Sequence, residues 1–380
     1  QLATPLAYQV SGVVRYLGAE GGTLKDPQDI FIDGEDNIYI ADSGNNRIVK
    51  LDKNLQFVAA YTDEGRLNNP QGVFVDDYGH LFIADTGNQR IVHTDASGAY
   101  IEEFVRPETD MIDESSDFAV RKIFLSDQGY LYMIKGQQFM MIDAYNEFKG
   151  YVGANEVGFD LMRTLIRLFA SEEMKRRIAT VDPPPYNNFV IADDGMIYAV
   201  AATDSAQIRK INSAGKNLYP EDYIAETIYD TDGFTTSPNY VDIAVNAEGI
   251  VSVLEQKGGK VYQYDQEGNM LTAFGGIGNK QGKFVLPVGL AQNSAGQVFV
   301  LDQSTGYIHV FTPTQFFTEV EAAVSLYAAG DYDAAYEKWQ EVAAIDVNYP
   351  LANRGLALSL YKLGDLEGAM TYFELAKDRA

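Results

Sequence analysis

The sequence predicts a mainly β protein, a six-bladed β-propeller with α-helical hairpins at its C-terminal end. Three observations carry that expectation. Pro27–Asp52 (PQDIFIDGEDNIYIADSGNNRIVKLD) and Pro70–Asp95 (PQGVFVDDYGHLFIADTGNQRIVHTD) are nearly the same text at an offset of 43 residues. A period in the forties with several short β-like runs per unit is that of one propeller blade. An apolar run, a polar turn and a second apolar run then recur down the chain, with the turn at Asp36, Gly79, Gly129, Gly195, Gly249 and Gly296. Finally, the period changes after residue 315, where Gly330-Asp331 and Gly364-Asp365 stand 34 residues apart.

Each blade begins with a β-branched or aromatic run such as IFIDGED (Ile30–Asp36) and continues at once into a second, such as NIYIAD. Two strands joined this tightly need positive φ in the loop, which Gly, Asn and Asp tolerate best. A second turn follows, DSGNNR at Asp42–Arg47 and DTGNQR at Asp85–Arg90, then a third run and a fourth. Four runs per unit match a four-stranded blade. The steps between turns are 43, 50, 66, 54 and 47 residues. The step of 66 holds an insertion, about residues 158–180, whose Leu161, Leu165 and Leu168 have amphipathic helix spacing. Pro183-Pro184-Pro185 ends it. The last blade lacks its own outer strand after Phe311, so the run Val13–Gly18 is expected to supply it and close the ring, which removes an open sheet edge.

The D-[ST]-G-N-x-R-I pattern after IAD resembles the NHL repeat. It is complete in the first two units and partial in LDQSTGYIHVF at Leu301–Phe311. The 34-residue spacing, with small residues at helix crossings and Pro350 before a helix, resembles tetratricopeptide (TPR) hairpins. The expected organisation is therefore an NHL-like propeller over 1–315 and TPR-like repeats over 316–380. Two such repeats are fewer than stacking normally needs, so they are expected to lean on the propeller. The combination resembles exported bacterial proteins, which implies an extracytoplasmic, membrane-anchored chain. The TPR resemblance implies that the helices bind a protein or peptide.

Composition narrows the partners. The formal net charge is −25, of which −6 lies in residues 316–380 and −19 in the rest. Phosphate binding needs clustered Lys and Arg, so nucleic acid is set aside; Lys175-Arg176-Arg177 is the densest basic cluster and reads as a solvated helix end. There is no cysteine, which removes disulfides and thiolate chemistry, and no run of 18 apolar residues to span a membrane.

Aligning the blades on their turns places one column at the start of each innermost strand: Gln28, Gln71, Arg121, Asn187, Val241 and Val288. The next column is Asp29, Gly72, Lys122, Asn188, Asp242 and Gly289. Gln28, Asp29, Gln71, Arg121, Lys122, Asn187, Asn188 and Asp242 are thus expected to converge on one channel mouth. Amides, carboxylates and bases in a concave opening suit a sugar or another polar small ligand. The alternative is a metal-dependent lactonase or hydrolase, since six-bladed lactonases hold a divalent metal with Glu, Asn and Asp at this level. Calcium wants six to eight oxygens; Asp29, Asn188 and Asp242 offer three, and Arg121 and Lys122 repel a cation. The expectation is therefore binding without a metal or other cofactor. The histidines, His80, His93 and His309, show no metal-ligand spacing and read as surface or packing residues. Asp42, Asp85 and Asp302 read as structural turn acceptors, with Arg47 and Arg90 beside the first two.

Overall fold

A computed structural model describes residues 5–112, 115–152, 185–203, 206–219, 228–229, 235–347 and 349–377. Six antiparallel blades form a closed β-propeller. Blade 1 has strands Asp29–Ile32, Ile38–Asp42, Arg47–Leu51 and Phe57–Tyr61, and blade 2 has Gly72–Val75, Leu81–Asp85, Arg90–Thr94 and Tyr100–Phe104. Blade 3 comprises Val120–Leu125, Leu131–Lys135, Gln138–Ile142 and Phe148–Tyr151. Among the described residues blade 4 has three strands, Tyr186–Ile191, Ile197–Ala201 and Ile208–Ile211. Blade 5 is Tyr240–Val245, Val251–Glu255, Lys260–Tyr264 and Met270–Gly275. The insertion expected at about 158–180 lies outside the described residues.

Blade 6 takes Pro287–Gln292, Val298–Asp302 and Tyr307–Pro313 from its own segment and its outer strand from the N-terminus. Closure occurs as expected, but the closing strand is Tyr8–Val14 and not Val13–Gly18. The reason is local. Tyr16–Gly22 leaves the sheet for a single helical turn, Gly18–Gly21, under which Leu17 is buried. The residues that can lie along blade 6 therefore come earlier, and Tyr8 ends up opposite Pro313.

The second strand of a blade is covered on both sides by neighbouring blades, which is why it reads as a continuous apolar run and is buried throughout in blades 1, 2, 4, 5 and 6. The turns repeat one device. Asp33 accepts the amides of Glu35 and Asn37, Asp52 those of Asn54 and Gln56, and Asp95 those of Ser97 and Ala99. Asp76, Asp143 and Asp265 do the same. These are Asx turns, so a large part of the acidity serves chain reversal.

After Pro313 the chain forms helices α1 (Gln315–Ala328), α2 (Tyr332–Ile345), α3 (Pro350–Leu363) and α4 (Leu366–Lys377), each packed on the next. The Thr314 and Asp331 side chains cap α1 and α2, Pro350 opens α3, and Gly364 ends it with φ +89°. The helices share one core with blades 5 and 6: Phe316, Phe317, Val320, Trp339 and Leu356 are buried in the same cluster as Leu254, Val261, Leu271 and Phe284. Gly355 is required there, because a Cβ would lie 2.2 Å from Trp339 Cε2.

Candidate functional site

A bulge recurs where the innermost strand of a blade begins. Register shifts between Val120 and Lys122, Tyr186 and Asn188, Tyr240 and Asp242, and Pro287 and Gly289 make Arg121, Asn187, Val241 and Val288 extra residues at the start of their strands. In blades 1 and 2 the amides of Gln28 and Gln71 reach Ala41 O and Ala84 O, the residues opposite Asp29 and Gly72. A bulge bends the strand and re-aims its extra residue. All six bulge residues are half-buried, and the following residue is buried in every blade except at Lys122. The first column expected from the sequence is therefore the more solvent-open of the two. The second column forms a layer below it.

Four carbonyls and one more tie the blades together at this level. Ser43 Oγ donates to Pro70 O, and Thr86 Oγ1 donates to Val120 O at 2.6 Å. Arg121 Nη2 reaches Tyr186 O at 3.0 Å, Asn187 Nδ2 reaches Tyr240 O at 2.8 Å, and Gln256 Nε2 reaches Pro287 O at 3.0 Å. In each case the acceptor is the residue just before the next blade's bulge. Arg121 Nε also holds Gly136 O at 2.7 Å. Arg121 and Asn187 thus spend part of their hydrogen-bonding capacity on the ring. Gln28 donates weakly to Asp26, and Gln71 is half-buried.

The layer below is ionic. Asp29 and Asp242 are 2% and 1% exposed, and each clasps the next blade. Asp29 Oδ2 accepts Val73 N at 3.0 Å, and Asp242 Oδ2 accepts Leu290 N at 2.6 Å. The residue before each of those amides is a glycine, Gly72 or Gly289. A Cβ on Gly72 would lie 2.6 Å from Arg121 O, and one on Gly289 3.0 Å from Ile30 Cγ2. Lys122 Nζ stands 2.7 Å from Asp29 Oδ1. Burial alone would lower its affinity for the proton, but Asp29 and Asp242 outweigh burial and hold the ammonium above the ordinary lysine value. Burial pushes the Asp242 carboxyl up to about 7, against the pull of Lys122. Burial lowers the Arg121 guanidinium, with Asp242 and Asp29 opposing. Asn188 turns its Oδ1 onto the amide of Phe189 at 2.7 Å.

The expected residues therefore separate into two levels. Gln28, Gln71, Arg121 and Asn187 hold the half-buried bulge positions, together with Val241 and Val288, which an expectation built on polar groups passed over. Asp29, Lys122, Asn188 and Asp242 lie beneath. Ser43 and Thr86 were also missed; the signal was the [ST] of the D-[ST]-G-N pattern. Asp42 and Asp85 have the structural role expected of them. Asp42 accepts Lys25 N, Asn45 Nδ2 and Arg47 Nε, and Asp85 accepts Asn68 N, Asn88 Nδ2 and Arg90 Nε, all at 2.7–2.8 Å. Lys135 takes the equivalent place in blade 3 with opposite polarity and donates to Ser116 Oγ and Asp117 O. Among the described residues no three or more His, Asp or Glu side chains are grouped as a metal site.

A second concavity of about 270 Å³ lies between the outer turn of blade 5 and the helices. Asp265 and Leu271 border it on the propeller side, and Tyr327, Trp339, Arg354 and Lys362 on the helical side. Tyr349 fixes the two parts by donating its hydroxyl to Leu271 O at 2.9 Å.

Fold and site together define a six-bladed propeller with a bulge at the start of its innermost strands. A family model for the NHL repeat matches residues 67–93, most of the second repeat and the three residues before it. No curated protein matches the chain. A solved structure provisionally assigned as a gluconolactonase is 11% identical, with a TM-score of 0.50, and the match covers 82% of this chain and 93% of that one. Virginiamycin B lyase from Staphylococcus aureus is 11% identical over 81% of this chain and all of its own, with a TM-score of 0.47. A protein of unknown function from Bacteroides thetaiotaomicron is 12% identical over 77% and 70%, with a TM-score of 0.49. At such identities the likeness is one of fold.

Proposed function

We propose that this chain is a non-enzymatic binding or scaffold protein that holds a polar ligand, such as a sugar, or a partner at the bulge-lined mouth. Its C-terminal helices, read as TPR-like, take a protein or peptide segment. The observation that carries this reading is the pairing of Lys122 with Asp29. An ammonium 2.7 Å from a carboxylate stands where a divalent cation would have to bind. The mouth above it offers amides and apolar surface, which suit orientation and burial of a ligand more than its chemical activation. The acidic balance disfavours nucleic acid. Placement outside the cytoplasm, with a membrane anchor, rests on the resemblance to exported bacterial proteins, and fractionation of cells expressing the full gene tests it.

The alternative is a metal-dependent lactonase or hydrolase, which the buried Asp29, Asn188 and Asp242 in one layer favour. The two readings part in a thermal scan. A ligand at 100 times its dissociation constant adds about 2.7 kcal/mol. A sugar or peptide that raises Tm, and loses that effect in Gln28→Ala plus Gln71→Ala, supports binding. Stabilisation by calcium together with lactone hydrolysis lost in Asp242→Asn establishes the enzyme instead.

A further inference from the structure

Two of the three histidines meet at the end of blade 2 away from the channel mouth. His80 closes the turn after the first strand, and His93 stands near the end of the third strand, opposite Phe82. The His93 ring is stacked on Phe82, with centroids 4.1 Å apart and planes 15° from parallel. Its Nδ1 lies 2.9 Å from Glu102 Oε1 on the outer strand. A carboxylate acceptor there favours the tautomer with its proton on Nδ1 and its lone pair on Nε2, the arrangement that orients ligating histidines.

That Nε2 faces His80 Nδ1 at 3.4 Å. Asp76 Oδ2 lies 3.6 Å from the same His80 nitrogen. The turn fixes the Asp76 carboxylate, because its Oδ1 accepts the amides of Tyr78 and His80. The first is a long hydrogen bond and the second a loose ion-pair contact, so neither is a tight pairing. Two nitrogens held at about 2.0–2.1 Å by one tetrahedral ion would stand about 3.3–3.4 Å apart. The His80 side chain is 34% exposed and that of His93 13%, so a small ion with water ligands can reach the gap.

We propose that His80 Nδ1 and His93 Nε2 chelate a divalent transition-metal ion of the zinc, nickel or copper class. Two imidazoles supply the protein ligands, and Asp76 Oδ2 is placed to hold a metal-bound water. The ion would tie the first turn of blade 2 to its third strand and leave coordination positions open to water or to a donor from a partner. Imidazole selects this class over calcium and magnesium, which take oxygen ligands. The spacing of 13 residues between the histidines has no motif value; strand pairing makes them neighbours.

The test uses tag-free full chain, calorimetric titration and thermal scans with zinc chloride alone. Zinc is expected to bind with one site and to raise Tm, while calcium and magnesium do neither. His80→Gln, in a solvent-reached turn, is expected to abolish the effect with the folded baseline kept. Glu102→Ala, which removes only the acceptor at Nδ1, is expected to weaken binding about tenfold or more. Since ligation needs deprotonated imidazoles, the effect fades on acidification. No zinc binding at neutral pH, zinc binding unchanged in His80→Gln, or an equal response to calcium overturns the proposal.

Discussion

Glu321 offers a test of how the helices are held on the ring. It lies in α1, over the first turns of blades 5 and 6. A Cβ on Gly296 would stand 4.0 Å from its Oε2, and Glu248 is its nearest charged influence. Its Oε1 is buried without a hydrogen-bond partner, as is Gln292 Oε1, while Tyr8 and Gln292 direct their donors to Gly296 O. Burial first, and Glu248 second, raise the carboxyl from 4.5 to about 7. A raised acid binds its proton more tightly in the folded state. Its stabilising contribution is therefore complete below 4.5, falls away between 4.5 and about 7, and is absent above. At about 1.4 kcal/mol per pH unit, that interval is worth on the order of 3 kcal/mol, an upper figure because the side chain is partly accessible. Glu321→Gln keeps the shape and removes the titration. Unfolding entropy of about 2.1 cal/mol/K per residue over 380 residues converts the difference to about 4 °C. The variant is expected to melt together with the parent near pH 4.5 and up to about 4 °C higher at pH 8. Asp242 adds a background of the same sign to both proteins, and it cancels in the difference. Equal melting of the two at pH 8, or a variant less stable there than the parent, would refute the reasoning.

Other expectations follow from the ring. Removing the closing strand Tyr8–Val14 exposes an edge and apolar surface of blade 6, and should cost several kcal/mol in denaturant unfolding; an unchanged midpoint counts against closure by this strand. Gly72→Ala pushes a Cβ into Arg121 O, and is expected to cost about 1–3 kcal/mol by urea titration. Lys122→Met removes the ammonium bound to Asp29 and leaves Asp29 and Asp242 with Arg121 alone, and should destabilise by about 3 kcal/mol at neutral pH, less at pH 5, where Asp242 is protonated. Asp85→Ala strands Asn68 N and one bond of Arg90, which still has Asp63 and Glu103. A loss of about 2–3 kcal/mol is expected, read from the same titration.

Blade number was legible because each turn needs residues that accept positive φ, and those residues punctuate the chain: Asp36 has φ +63° and Gly79 +80°. The bulge position was legible as an aligned column, since it recurs with the repeat. What joins the blades was not. Asp29 meets Val73 and Asp242 meets Leu290 across 44 and 48 residues, and nothing local marks either pair. The same carboxylates that looked like cation ligands turned out to clasp backbone amides, because a buried oxygen is satisfied by whichever donor the neighbouring blade presents. The closing strand was placed a few residues late because VVRYLG continues an apolar pattern past the point where the chain turns away. Val241 and Val288 went unread in that column because polarity, not position, had selected its residues.

The way the ring is fastened also sets how it yields to force. Tyr8 pairs with Pro313, and Thr314, next in the chain, binds the carbonyls of Leu6 and Ala7 before α1 begins. The two strands run antiparallel, so the segment entering the ring and the segment leaving it for the helices part from the same end of the seam. Tension between them pulls along the direction of the inter-strand hydrogen bonds and breaks them one after another, instead of shearing the whole row at once. A load passed between the N-terminus and the start of α1 therefore opens this seam as a zipper from Tyr8 toward Val14.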